Sequence, residues 1–330
     1  MMMESGSAEV TTGTEDEHRP FVHSAFLFRS QAEYLETVLP FVLEGLATDE
    51  RVLVAVPGEY VALLSAALGG QGSRAGLQLL DIAEVARNPS RFLALEGSFA
   101  EESPDRRARI VSQVCWPGRT SDEFVACMQH EALVNTAFQG RPLTVLCPFD
   151  AQRLGDEVLA GARAAHPMLC EGGSLHVSPD YAPDEVLAQC NQPLPANPGA
   201  VTYMVRKSDD LKPARSFAVN YAGWVGLSQD GIEDLQLVAT ELATNSLMYT
   251  DGACRLAFWR DADHLVCEAR DSGRLDDPLV GRLDPGPAGP ASRGLYLVNA
   301  ISDLVRTHTA STGTTIQAYL RMSPSSGPTG

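Results

Sequence analysis

Residues 238–250 read VATELATNSLMYT, and this stretch decides how the second half of the chain is read. Ile232, Leu235, Val238 and Leu242 recur at helical spacing, which predicts a helix over about 229–249. Glu241 and Asn245 lie four apart on it, so both side chains leave one face a turn apart, with Tyr249 next in the row. A carboxylate there can polarise an attacking hydroxyl. An amide oxygen can complete a magnesium shell that already holds phosphate oxygens and water. Taken alone, the spacing reads better as a solvated helix face. It also recurs as EALVN at 131–135, so something besides spacing must separate the two copies.

Working outward, Phe217, Tyr221, Trp224 and Val225 predict an earlier helix over about 212–226. After the quoted stretch come strands CRLAFWR (254–260) and HLVCEARD (264–271), a Gly/Pro-rich loop over 272–292 and a helix over 293–303. Two more strands follow, LVRTHTA (304–310) and TTIQAYLR (314–321). In the last, Ile316, Ala318 and Leu320 alternate with Gln317, Tyr319 and Arg321, the pattern of a sheet covered on one face, so helices are expected on one side only.

Three short motifs stand behind the helix. DSG at 271–273 puts a glycine two residues past a carboxylate, which lets backbone approach a flat ligand while Asp271 accepts from an exocyclic amine. SRGLYLV at 292–298 is a loop feeding a helix N-terminus, where free N–H groups and the helix dipole suit phosphate. GTT at 313–315 opens the last strand. Each piece alone is a turn, a helix start or a strand start. Their order and spacing together are hard to obtain by accident, and EALVN has no such motifs behind it.

At 330 residues and 44% hydrophobic content the chain has room for two domains with separate cores. No apolar run approaches the roughly 18–20 residues of a spanning helix, so no membrane is expected. Residues 1–20 are polar and acidic and read as a disordered cytoplasmic tail, with a second tail at 323–330. Of the net charge of -17, little lies in 201–322, which holds 12 Lys/Arg against 15 Asp/Glu; the rest holds 13 against 27. That balance argues against nucleic acid as a direct partner and is compatible with a basic protein surface. The seven cysteines show no C-x-x-C pair and read as reduced, mostly core thiols. His23, Cys147 and His166 could meet as metal ligands, but nothing in their spacing argues for it.

From 21 to 178, apolar runs alternate with helical stretches: HSAFLF, a helix over 30–46, RVLVAVP, a helix near 58–69, LQLLDI, then a less regular segment. RARIVSQV, a helix near 121–137, LTVLCPF, a helix near 152–164 and SLHVSP complete the series. This predicts an α/β domain with a mainly parallel, two-sided sheet. Residues 179–200 contain five prolines and no sustained apolar period, so the linker is expected there.

On ELATN, DSG, SRGLYLV and GTT, residues 201–322 resemble the GHKL ATPase family, specifically the anti-sigma factor serine/threonine kinases of bacterial stress and sporulation control. The resemblance implies an α+β Bergerat-type sandwich that binds ATP and Mg²⁺. Glu241 would be the general base, Asn245 the Mg²⁺ ligand and Asp271 the acceptor of the adenine amine, with Gly273 beside it. Arg293, Gly294 and Leu295 would lie at the phosphates, and Thr314 would support Asp271. It implies a cytoplasmic kinase acting on a sigma factor or its antagonist, or a noncatalytic ATP-dependent anti-sigma protein, and it allows a homodimer. Two departures stand out. Leu275 replaces the usual second glycine of the DSG box, and the lid RLDDPLVGRLDPGPAGPA (274–291) carries four prolines, which stiffen it. HE at 130–131 mimics the phosphoacceptor of a sensor histidine kinase, but it sits on a helix between strands and reads as a decoy.

Residues 21–178 resemble the MEDS family of sensory domains, related in fold to RecA-like ATPases. The matching features are HSAFLFRSQAEYLETVLPFVLEGL, CWPG, HEALVN, TVLCPFD and AAHP. No G-x-x-x-x-G-K-[ST] follows any strand, so a ligand sensor is expected rather than a nucleotide hydrolase. His23, Trp116, Glu131, Asp150 and His166 are expected to cluster near the C-terminal ends of the parallel strands, where open α/β sheets bind small molecules. The alternative is a buried hydrogen-bond network that only holds the sheet together.

Overall fold

The computed structural model describes residues 21–69, 75–85, 87–102, 106–286 and 290–322; the two expected tails lie outside the described residues. The first half runs β1 (Val22–Phe28), α1 (Gln31–Ala47), β2 (Arg51–Val56), α2 (Gly58–Ala67), β3 (Leu77–Asp81), α3 (Ile82–Val85), α4 (Pro89–Glu101) and β4 (Ala108–Ser112). It continues α5 (Ser121–Ala137), β5 (Leu143–Asp150), α6 (Asp156–Ala165), β6 (Met168–Glu171), β7 (Ser174–Val177) and α7 (Pro183–Cys190). The strands form one sheet in the order β3-β2-β4-β5-β1-β6-β7, parallel except for the β6–β7 pair. β1 lies between β5 and β6 and is apolar along most of its length, as a parallel strand covered on both faces requires.

Capping residues set the helix starts. Thr120 and Glu123 form a reciprocal capping box at α5. Asn88 accepts from the Ser90 N–H at 3.1 Å with Pro89 at the first helical position, which starts α4 inside the segment expected to be less regular.

The second half runs β8 (Val201–Val205), α8 (Leu211–Val225), α9 (Gln229–Tyr249), β9 (Cys254–Asp261), β10 (His264–Asp271), α10 (Pro290–Ile301), β11 (Leu304–Ala310) and β12 (Gly313–Arg321). Its sheet is antiparallel in the order β11-β12-β10-β9-β8. The apolar stripes of α8 and α9, with Val298 of α10, close one core against one face of it.

The opposite face departs from the expectation. Gln317 and Tyr319 are buried, not solvated, because Ala126 of α5 packs there among Ala257, Trp259, Val266, Leu304 and Tyr319. Arg306 of β11 pairs with Asp122 of α5 at 2.6 Å. The first half therefore supplies the layer that sequence periodicity within the second half could not reveal. A buried polar group there needs partners, and Glu268 has them in Arg255, Arg270 and Gln317. The expected linker also contains structure: α7 packs Val186 against Ala132 and Ala165, and Asn191 exchanges two hydrogen bonds with the backbone of Thr309.

Candidate functional site

A cavity of about 410 Å³ opens between α9, α10 and the second sheet, within the range of small-molecule sites. Asn245, Ser246, Tyr249, Asp271, Gly273, Leu295 and Thr314 are among the residues that line it. Asp271 ends β10 opposite Thr314 of β12. One of its carboxylate oxygens accepts from the Gly273 N–H at 2.8 Å, the other from the Ser246 hydroxyl at 2.5 Å. Each oxygen keeps a lone pair for a further donor.

Gly273 is closely packed, since a Cβ there would fall 2.5 Å from the Thr250 methyl and 3.2 Å from Asp271 Oδ1, so the backbone itself forms this corner of the cavity. Thr314 supports this corner through the backbone beside Asp271. Its hydroxyl donates to the Gly273 carbonyl at 2.9 Å and pairs with Thr309 at 3.0 Å, while Thr309 accepts from the Leu275 N–H. Ser246 is thus the residue sequence reading missed, although it directly follows Asn245.

At the other end Gly294 of α10 lies against α9. A Cβ there would meet Glu241 Oε2 at 2.7 Å and both Asn245 amide atoms at 3.2 Å, so only glycine allows this approach. Arg293 is exposed beside it, and Leu295 lines the cavity. α10 begins at Pro290, so the N–H groups of Gly294 and Leu295 are bonded within the helix and its free donors lie in the turn ahead of them. The residues fit a nucleotide: an acceptor at one end, and a helix start, a carboxylate and an amide at the other.

The second E-x-x-x-N copy is put to a different use. Glu131 and Asn135 of α5 both face His23 of β1. Asn135 Oδ1 lies 3.0 Å from His23 Nδ1, and Glu131 Oε2 lies 3.6 Å from His23 Nε2. His166, just before β6, brings its Nε2 within 3.3 Å of the same carboxylate oxygen, and Cys147 of β5 lies 3.4 Å from His23 Nε2. Burial lowers the His23 pKa to about 4 and pushes the Cys147 thiol up. Neighbouring His130 is also lowered to about 4 by burial, beside Glu96, whose carboxyl burial raises well above its usual range.

Of the five expected sensory residues, His23, Glu131 and His166 come together, at the N-terminal rather than the C-terminal ends of β1 and β6. Asp150 sits at the far end of β5, opposite Phe28, where the Tyr60 hydroxyl donates to it at 3.4 Å. Five residues of strand separate that position from His23, about 16 Å. Trp116 lies in the loop after β4 beneath the Arg119 guanidinium, 3.5 Å from its ring centroid. The strand-end rule failed here because the polar residues enter from α5 and from the loop before β6. Cys147, read from the sequence only as a possible metal ligand with His23 and His166, completes the cluster together with Asn135, which was not expected.

The lid of the cavity touches the first half of the chain. Arg282 is buried and donates to the Ser90 hydroxyl of α4 and, at 2.6 Å, to Gln129 Oε1 of α5. Asn299 of α10 holds the Gly281 carbonyl at 2.9 Å and accepts from Asn88. Gly281 adopts φ +77°, and a Cβ there would fall 2.5 Å from Leu295. A second cavity, of about 390 Å³, lies on the other side of the lid and shares Leu275, Val280 and Leu295 with the first.

Residues 22–167 match the family described as the MEthanogen/methylotroph, DcmR Sensory domain (MEDS), and residues 205–320 match the Histidine kinase-like ATPase domain. No curated protein matches the chain. Among solved structures, the SiaB–SiaC complex from Pseudomonas aeruginosa aligns with 17% identity and a TM-score of 0.30, over 36% of this chain and 88% of that one. The RsbU and RsbW domains of Rv1364c from Mycobacterium tuberculosis align with 15% identity and a TM-score of 0.30, over 64% of this chain and 51% of that one, about half its length. No helix among the described residues is long and apolar enough to cross a membrane. The chain thus pairs an N-terminal match to the MEDS sensory domain with a C-terminal match to the histidine kinase-like ATPase domain.

Proposed function

We propose that the chain is a cytoplasmic, ATP-binding regulator of the anti-sigma-factor serine/threonine kinase type, controlled by a small molecule sensed in its N-terminal domain, which we read as RecA-like in fold. The observation that carries this reading is a continuous run of contacts. It leads from Asp271 through Ser246 to Asn245 on the cavity wall, and on to Gly294 and Glu241 just beyond it. In this reading Asp271 accepts the adenine amine, Gly273 admits the ring, and Asn245 holds Mg²⁺. The free N–H groups at the start of α10, one turn ahead of Gly294 and Leu295, face the phosphates, with Arg293 beside them. Mg²⁺ held there would supply charge neutralisation for the phosphates, and Glu241 would take the proton of the attacking serine hydroxyl as the γ-phosphoryl group passes from ATP to that oxygen and ADP leaves. The partner is a sigma factor or its antagonist. Control from the first domain would reach the lid through Gln129 and Ser90, which hold Arg282.

A second reading, a noncatalytic anti-sigma protein in which ATP shapes the partner surface, is favoured by Leu275 and by a lid anchored at Arg282. A sensor histidine kinase is disfavoured because His130 is buried against Glu96 rather than presented on a two-helix hairpin. The test is transfer of radiolabelled phosphate to a serine-bearing antagonist protein encoded nearby. Glu241→Gln should lower it by about 10² to 10⁴ while ATP binding persists. Equal rates in parent and variant overturn the general-base role, and ATP binding without transfer to any candidate moves the assignment to the noncatalytic reading.

A further inference from the structure

Two histidines, a glutamate and a cysteine meet in the interior of the first domain, and the hydrogen bonds around them fix which ring atoms carry protons. His166 Nδ1 lies 2.7 Å from the Ala162 carbonyl, which can only accept, so Nδ1 is the protonated nitrogen of that ring. Asn135 turns its NH₂ to the carbonyls of Ala165 at 2.8 Å and Ala132 at 3.1 Å, which leaves its oxygen facing His23 Nδ1. His23 Nδ1 therefore also donates. In the neutral form of each ring the Nε2 lone pair then points at the Glu131 carboxylate, at 3.6 Å from His23 and 3.3 Å from His166.

Such an arrangement is self-repelling as it stands. His166 Nε2 and both Glu131 oxygens are buried without a hydrogen-bond partner, and an unpaired polar atom in this position costs on the order of 1–3 kcal/mol. A cation between the lone pairs removes the conflict. The fourth group facing the space, Cys147 Sγ, is 3.4 Å from His23 Nε2, and the ligating atoms of all four residues lie within 4.8 Å of one another. Tetrahedral zinc with bonds of about 2.0–2.3 Å sets its ligands roughly 3.3–3.8 Å apart, and the three separations above fall in or near that span. Both imidazoles also have the outer partner that metal-bound histidines almost always have, a carbonyl or amide oxygen fixing the distal N–H.

We propose that His23, Glu131, Cys147 and His166 form a closed binding site for a divalent, borderline-soft transition-metal ion, with zinc the best match. Binding displaces the thiol proton of Cys147 to solvent, one proton per ion. The two negative charges of thiolate and carboxylate then balance the dication, so the buried site is neutral overall. Four protein ligands and complete burial leave no open position, the character of a structural ion rather than a catalytic one. Asn135 is a positioning residue that holds His23. The site is independent of nucleotide and of the magnesium position at Asn245, which offers no sulfur.

The test uses the full chain, purified without chelator and without nucleotide. Elemental analysis should find one zinc ion per chain. Replacing it with Co²⁺ should give the intense ligand-field bands of tetrahedral cobalt together with a thiolate-to-cobalt charge-transfer band. Cys147→Ser should abolish the charge-transfer band, and Asn135→Leu should speed loss of the metal to a chelator severalfold. A parent chain that holds no more metal than a Glu131→Gln variant, and gives only the weak octahedral spectrum with Co²⁺, overturns the proposal and leaves a proton-sharing network in its place. If the variants fail to fold, the cobalt spectrum of the parent alone decides.

Discussion

Replacing Asp271 by Asn keeps the shape of the nucleotide corner and changes only its charge and hydrogen-bonding sense. The carboxylate now accepts from Ser246 and from the Gly273 N–H, with a lone pair on each oxygen to spare. In the variant the amide oxygen can keep the Gly273 contact. The NH₂ then faces Ser246, whose hydroxyl can reverse and donate to the Leu242 carbonyl 3.2 Å away. The fold therefore loses little. An adenine amine loses a charged acceptor and meets a donor instead, and a hydrogen bond to a charged group contributes about 1.5–3 kcal/mol, so ATP should bind about 10- to 150-fold more weakly. GTP presents a carbonyl where ATP presents the amine, so the penalty for GTP should shrink or reverse sign. Equilibrium dialysis of both nucleotides against parent and variant gives the ratio, with circular dichroism melting as the check on folding. An unchanged ATP to GTP preference would refute the placement of adenine at Asp271.

Gly294→Ala puts a methyl 2.7 Å from Glu241 Oε2 and 3.2 Å from the Asn245 amide, so phosphotransfer should fall about 10²-fold in the radiolabel assay; a rate within twofold of the parent contradicts the packing argument. Glu96 stays protonated when folded but ionises above its ordinary pKa when unfolded, so the folded state binds the extra proton and stability falls as pH rises. Glu96→Gln removes that loss, so the variant's stability relative to the parent should improve as pH rises above the ordinary carboxyl range in urea unfolding; a constant difference rejects it. Arg282→Ala frees the lid from Ser90 and Gln129, and hydrogen exchange over 274–286 should quicken severalfold, whereas unchanged protection means that the lid is held elsewhere.

The grouping of Asn245, Asp271 and Gly273 around one cavity, with Glu241 beside it, was legible because these residues sit in contiguous motifs: Glu241 and Asn245 one turn apart on α9, Asp271 and Gly273 at one strand end. The cluster in the first domain was not, since its residues come from β1, α5, β5 and the loop before β6 and no spacing along the chain joins them. The second E-x-x-x-N copy was set aside for lack of accompanying motifs, yet Glu131 and Asn135 both serve His23. Burial of Gln317 and Tyr319 was unreadable for a related reason. Strand alternation reports one covered face, and the covering helix, α5, belongs to the other half of the chain. By contrast, the Asn88-Pro89 start of α4 was written in the sequence and passed over.

Calorimetric titration of the full chain with ATP in the presence of Mg²⁺ tests the central claim most directly. The account predicts saturable binding to one site per chain that weakens when magnesium is chelated and weakens again with Asn245→Ala, which removes the metal ligand. The absence of any magnesium-dependent binding would contradict the assignment of the cavity between α9 and α10 as a nucleotide site.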